Sequence, residues 1–126
     1  MFLKFKSQDE RSKYGGTCFV ELQFCLLPSS STLEDIMDKH VYWRDDSLYV
    51  HGDSPIYSEY KDIFGVGTHH NLTEGLFDYY GITYYRNEQI DAIIDRACRI
   101  RPKGYELLTE WLEEAKKHNG FYILGL

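Results

Sequence analysis

The chain has 126 residues, of which 43% are hydrophobic and 27% charged, and a formal net charge of -6. That size and balance fit one globular domain over residues 1–126 and exclude a disordered, collagen-like or coiled-coil chain. The negative field opposes nucleic-acid phosphates, and no apolar run approaches the ~18 residues of a transmembrane helix, so neither nucleic acid nor membrane is expected as a partner.

Residues 2–6 alternate weakly and predict a short strand, followed by a polar connection over 8–16 that leads to Gly15-Gly16 and a hairpin with a long loop. The opening also lacks the basic-then-apolar order of a secretory signal, which predicts a cytoplasmic protein. Residues 17–27 give the clearest strand. Cys18, Val20, Leu22, Phe24 and Leu26 share one face, Thr17, Glu21 and Gln23 the other, and Pro28 ends the run.

Ser31-Thr32-Leu33-Glu34 has the form of a capping box and predicts a short helix to about residue 39. Residues 41–43 and 48–51 then read as two strands about the polar turn Arg44-Asp45-Asp46-Ser47. Ser54-Pro55 marks a helix start, since Pro is favoured in the first turn, with Ile56, Tyr60, Ile63 and Phe64 on one face. Residues 65–70 predict a turn-rich loop, Asn71 caps a short helical stretch running to Tyr80, and 82–85 is a β-branched and aromatic strand.

Helix signals are strongest near the end. Asn87 is placed to cap a segment whose Ile90, Ile93, Ile94, Ala97 and Cys98 form a stripe, with Asp95 and Arg99 paired outside. Pro102 breaks it, and a second helix over about 103–118 buries Leu108, Trp111, Leu112 and Ala115 before Asn119-Gly120 stops it. The apolar run 121–126 predicts a strand in the middle of a sheet. The fold class is therefore α+β, with a mainly antiparallel sheet and two C-terminal helices packed on one face.

Chemistry-bearing motifs are sparse. His69-His70 behind Gly65-Val66-Gly67 is where a metal or proton-shuttling site would be sought, but adjacent imidazoles diverge and no further ligand stands at a defined spacing. The Gly-x-Gly-x-x-Gly pattern and the Walker lysine are missing. Three cysteines at unrelated spacings fit reduced thiols, with Cys18 and Cys98 assigned to the core by their apolar faces. No catalytic residue, metal site or cofactor is assigned, and a non-enzymatic role is expected.

The composition points instead to recognition. There are 11 Tyr and 7 Phe, many beside carboxylates, and a Tyr offers apolar area and a hydrogen-bonding tip at little entropic cost. Three segments interleave acids and rings: Asp45-Asp46; Asp53, Tyr57, Glu59, Tyr60 and Asp62; and Asp78-Tyr79-Tyr80. Together they are the candidate partner-binding surface, suited to Lys and Arg through ion pairs and cation-π contacts.

In small size, acidic charge and mixture of acidic clusters such as Asp45-Asp46 with Tyr57 and Tyr60, the chain resembles bacterial immunity proteins encoded beside polymorphic toxins, as in contact-dependent growth inhibition. Those proteins share no motif, so no residue is carried across by position. The resemblance implies a cognate toxin domain as partner, often a nuclease with a basic active site, blocked by mimicry of its substrate's charge. The alternatives are a small hydrolase or metal-dependent enzyme using the His69-His70 loop, and a non-catalytic adaptor domain.

Overall fold

The computed structural model describes residues 1–14, 18–41 and 43–126. The strands are β1 (Phe2–Leu3), β2 (Phe19–Phe24), β3 (Leu48–His51), β4 (Gly67–His69), β5 (Glu74–Gly75), β6 (Ile82–Tyr85) and β7 (Phe121–Leu124). The helices are α1 (Gln8–Lys13), α2 (Leu33–Asp38), α3 (Ile56–Phe64), α4 (Ile90–Ile100) and α5 (Tyr105–Ala115). One sheet of order β1-β3-β2-β7-β6-β4-β5 joins the strands, and every pairing is antiparallel.

The last strand is the fourth of seven, as its apolar sequence predicts. Leu22 faces Ile123 and Phe24 faces Phe121 on one side, while Thr83 and Tyr85 face the same two residues on the other. Gly120 turns the chain into β7 at φ 81°, a left-handed conformation that favours glycine, and a side chain there would strike the Tyr85 carbonyl.

Alternation gives the sheet two different faces. Val20, Leu22, Phe24, Leu48, Val50, Tyr85, Phe121 and Ile123 form the floor of the main core, roofed by α3, α4 and α5. Within that roof Ile90, Ile93 and Ala97 of α4 and Leu108, Trp111, Leu112 and Ala115 of α5 are buried. Trp111 stacks on Phe24 with centroids 4.3 Å apart at 7°, and its Nε1 donates to the Asp46 carbonyl at 2.8 Å. The α+β class with two C-terminal helices packed together on an antiparallel sheet is thus the observed one.

The second face carries Glu21, Gln23, Cys25, Tyr49, Tyr84, Tyr122 and Leu124, covered in part by Ile36 and Met37 of α2 and by Phe5. Period two in β2 is correct, but both of its faces are buried, so the polar side is a second core. Cys25 is buried there, whereas Cys18 and Cys98 are exposed, which corrects their assignment to the core. Cys18 precedes the first ladder residue, and Cys98 lies beyond the stripe of Ile90, Ile93 and Ala97.

Several boundaries also move. Residues 8–13 are a helix, capped by the Ser7 side chain on the Glu10 amide, rather than a polar connection. β1 pairs with β3 instead of forming a hairpin with β2. The cap of α2 is Thr32, whose Oγ1 accepts from the Asp35 amide at 3.2 Å, one residue beyond the expected Ser31. Of the expected hairpin only 48–51 is a strand; Tyr42 lies outside the described residues.

Residues 67–69 and 74–75 pair as a hairpin where a loop and a capped helix were expected, because Thr68 finds ladder partners on both sides. Asn87 does not cap α4. A 3-10 turn (Asn87–Gln89) precedes that helix, and the Asn87 amide donates at 2.8 Å to the carbonyls of Lys116 and His118.

Candidate functional site

The first turn of α3, the end of β4 and residues 76–80 enclose an open cleft of about 670 Å³. Its first wall follows from helical spacing. Ile56, Tyr60, Ile63 and Phe64 turn into the core, which leaves Tyr57 and Ser58 outward. Phe77 anchors the opposite wall. It is buried and meets Phe64 and Tyr57 edge-to-face at 5.7 and 5.1 Å, tying 76–80 to the helix.

Backbone contacts then fix the run that follows. The Asp78 amide donates to Thr83 Oγ1 at 2.9 Å, and Asp78 Oδ1 accepts from the Tyr80 amide at 2.9 Å. The Tyr79 hydroxyl donates to the Gly52 carbonyl, and the Tyr79 carbonyl accepts from the Leu126 amide. Tyr80 is left 77% exposed, standing edge-on to Tyr79 at 5.1 Å. A large ring so held is an anchor already positioned.

His69 completes the lining. Its Nε2 lies 2.7 Å from the Leu76 carbonyl, and since a carbonyl only accepts, this nitrogen carries a proton and donates. Gly75 leaves room for that ring, because a Cβ there would lie 2.8 Å from His69 Cε1. His70 diverges as expected, its Nε2 3.6 Å from Asp38 on the surface.

The cleft suits a cation on an apolar stem. Tyr57, Tyr79 and Tyr80 supply ring faces, and Asp78 supplies a carboxylate. The Lys61 ammonium already lies 5.6 Å from the Tyr57 centroid, so that ring takes a cation within the protein itself. Burial, followed by Tyr80 and Asp53, pushes the Tyr79 phenol above its ordinary range and keeps it neutral. Among the described residues no group of three His, Cys, Asp or Glu side chains is placed to hold a metal ion.

The structure thus brings together two of the three segments singled out in the sequence. Tyr57, Asp78, Tyr79 and Tyr80 line the cleft; Asp53 is near Tyr79; Glu59 and Asp62 are exposed on α3. Tyr60 is a correction. It is fully buried, with its hydroxyl donating to the Lys103 carbonyl at 2.9 Å, because it stands four residues after Ile56 on the core side of α3. Asp45 and Asp46 stand apart, beside Lys4, Glu110 and Trp111, and Asp46 is engaged by Arg44 at 3.0 Å.

Ser54, Ser58, Leu76 and Phe77 also line the cleft and were not singled out as site residues. Their signal was the helix start at Ser54-Pro55 and the aromatic run beginning at Phe77, but only the β4–β5 hairpin brings the two together. No helix of the described residues is long and apolar enough to cross a membrane. Comparison with protein-family models, with curated proteins and with solved structures returns no match.

Proposed function

We propose that the chain is a protein-binding module that captures a basic surface of a partner in the Tyr57–Tyr80 cleft, and that it acts as an immunity protein neutralising a cognate toxin domain. One observation carries this reading: segments more than twenty residues apart in sequence converge to place Tyr57, Asp78, Tyr79 and Tyr80 around one open cleft in a chain of net charge -6. Exposed rings beside carboxylates supply desolvated anchors for Lys and Arg, and the acidic field speeds encounter with a basic partner. The cytoplasmic setting and the nuclease character of the toxin belong to this proposal through the resemblance in composition.

The test is capture of the toxin domain encoded beside the gene, followed by calorimetry at low and high salt. A complex that weakens with salt and loses at least about tenfold in affinity on Tyr57→Ala or Tyr80→Ala supports the reading. Absence of a complex, or one indifferent to both rings and to salt, overturns it. A hydrolase remains the second reading because the His69 ring lines the same cleft. It predicts a turnover that His69→Ala abolishes.

A further inference from the structure

A separate cleft of about 350 Å³ lies on the second sheet face, lined by Arg11, Cys18, Phe19, Glu21, Leu124, Gly125 and Leu126. Glu21 is the one buried acid among the described residues, 3% exposed. Two hydrogen bonds fall on one oxygen, Oε2 accepting from Ser47 Oγ at 2.6 Å and from Gln23 Nε2 at 3.0 Å, and the Tyr49 hydroxyl adds a weaker pull on the carboxylate. Oε1 takes no hydrogen bond from the described residues. Oε1 is not sealed from solvent, so it opens on the cleft, where a donor from a ligand can reach it.

The opposite charge borders the same cleft. Arg11 reaches in from α1 with its guanidinium carbon 5.4 Å from the centroid of Tyr49, the cross-strand neighbour of Glu21. Arg11 forms no ion pair with a described carboxylate, Glu21 included. Arg11 and Glu21 attract across the cavity without closing an ion pair, so a ligand carrying both complementary charges can bridge them. Phe19, Leu124 and Leu126 supply apolar wall beside them.

We propose that this cleft binds a free apolar α-amino acid, with its ammonium on Glu21 Oε1, its carboxylate on the Arg11 guanidinium and its side chain against Phe19, Leu124 and Leu126. The volume lies in the range of small-molecule sites, and an apolar lining with a few placed polar groups is their usual make-up. The guanidinium is suited to planar carboxylate recognition. Nothing in this proposal depends on the Tyr57–Tyr80 cleft or on a protein partner.

Calorimetry on the full chain with L-leucine and L-phenylalanine tests it, beside 3-methylbutylamine, which lacks the carboxylate, and 4-methylpentanoate, which lacks the ammonium. Expected are binding of at least one amino acid, affinities at least tenfold lower for both analogues, and the same loss in Glu21→Gln and Arg11→Gln, with Tyr80→Ala unaffected. No heat with either amino acid at about 10 mM overturns the proposal. So does an amine that binds as tightly as leucine, since Arg11 then plays no part. The analogue series needs only the natural chain, so it decides the matter even where a variant fails to fold.

Discussion

The two faces of the sheet are built from the same strands by opposite means. Under α3, α4 and α5 the contacts are apolar and continuous, from Phe2 and Val50 at one side to Tyr85 and Phe77 at the other. On the second face the apolar residues fall into two smaller clusters, separated by Glu21 and Gln23. There the side chains hold by their polar ends as well: Tyr122 donates to the Ile36 carbonyl at 2.5 Å, Tyr84 to Asn119 at 2.6 Å and Tyr49 to Arg44 at 2.7 Å. The lesson concerns tyrosine. With Tyr60 on Lys103, Tyr79 on Gly52 and Tyr85 on Gly65, six hydroxyls tie backbone outside the sheet to the core, so much of the tyrosine excess is internal stapling.

If the first face carries most of the stability, the largest effect follows from removing its central strand. Deleting residues 121–126 removes the strand that joins β2 to β6 and splits the sheet in two, and is expected to abolish the cooperative unfolding transition seen by circular dichroism. Trp111→Ala breaks the same face more locally, removing the stack on Phe24 and the bond to Asp46. A loss of about 3–5 kcal/mol is expected in urea denaturation, a large share of the ~5–15 kcal/mol of a typical domain.

The contrast between faces also sets how much of the molecule was legible. Ile56, Tyr60, Ile63 and Phe64 on α3, the buried stripe of α5 and the central place of β7 follow from periodicity and hydropathy, which are local in sequence. The burial of Glu21 and Gln23 does not, because alternation shows that two faces differ without showing that each is covered. The β4–β5 hairpin was illegible for a related reason. Gly67 and Gly75 are poor strand formers, β4 is held by long-range pairing with β6 and β5 by pairing with β4, and that hairpin brings His69 to Tyr57 and Phe77. In the candidate site the rings were readable as a kind of residue; which of them stay outside was decided by helix phase, as Tyr57 and Tyr60 show.

Smaller effects are expected from the second face. Tyr122→Phe keeps the ring and leaves the Ile36 carbonyl without its donor, a cost of about 1–3 kcal/mol. Amide exchange is expected to rise in α2 more than in α4 or α5; equal rises across all three helices would mean that the faces are not separately held. Glu21→Gln is expected to act in the opposite direction. Desolvation raises the Glu21 pKa against the pull of Ser47, Gln23 and Arg11, so the folded state binds this proton more tightly than the unfolded one. Its contribution is most favourable below the ordinary carboxylate range and is lost as pH rises through the raised pKa. The Gln variant is therefore expected to melt above the natural chain at pH 7, with the gap closing toward pH 4; a lower midpoint at pH 7 would show that the hydrogen bonds outweigh burial.

The smallest effect on stability is expected where the proposed effect on binding is greatest. Tyr80 is 77% exposed and its one ring neighbour among the described residues is Tyr79, so Tyr80→Ala removes little that folding uses, and its stability is expected to stay within about 0.5 kcal/mol of the natural chain. The segment around it is held by Asp78 through Thr83 and by Tyr79 through Gly52 and Leu126, none of which the substitution touches. Tyr85→Phe supplies the converse: it removes the bond to the Gly65 carbonyl inside the first face and leaves the cleft lining as it is. Denaturation and partner calorimetry on the two variants should then separate completely, Tyr80→Ala losing affinity alone and Tyr85→Phe losing stability alone. A Tyr80→Ala chain that melts several degrees early would place this ring with the staples, and the cleft would lose its anchor.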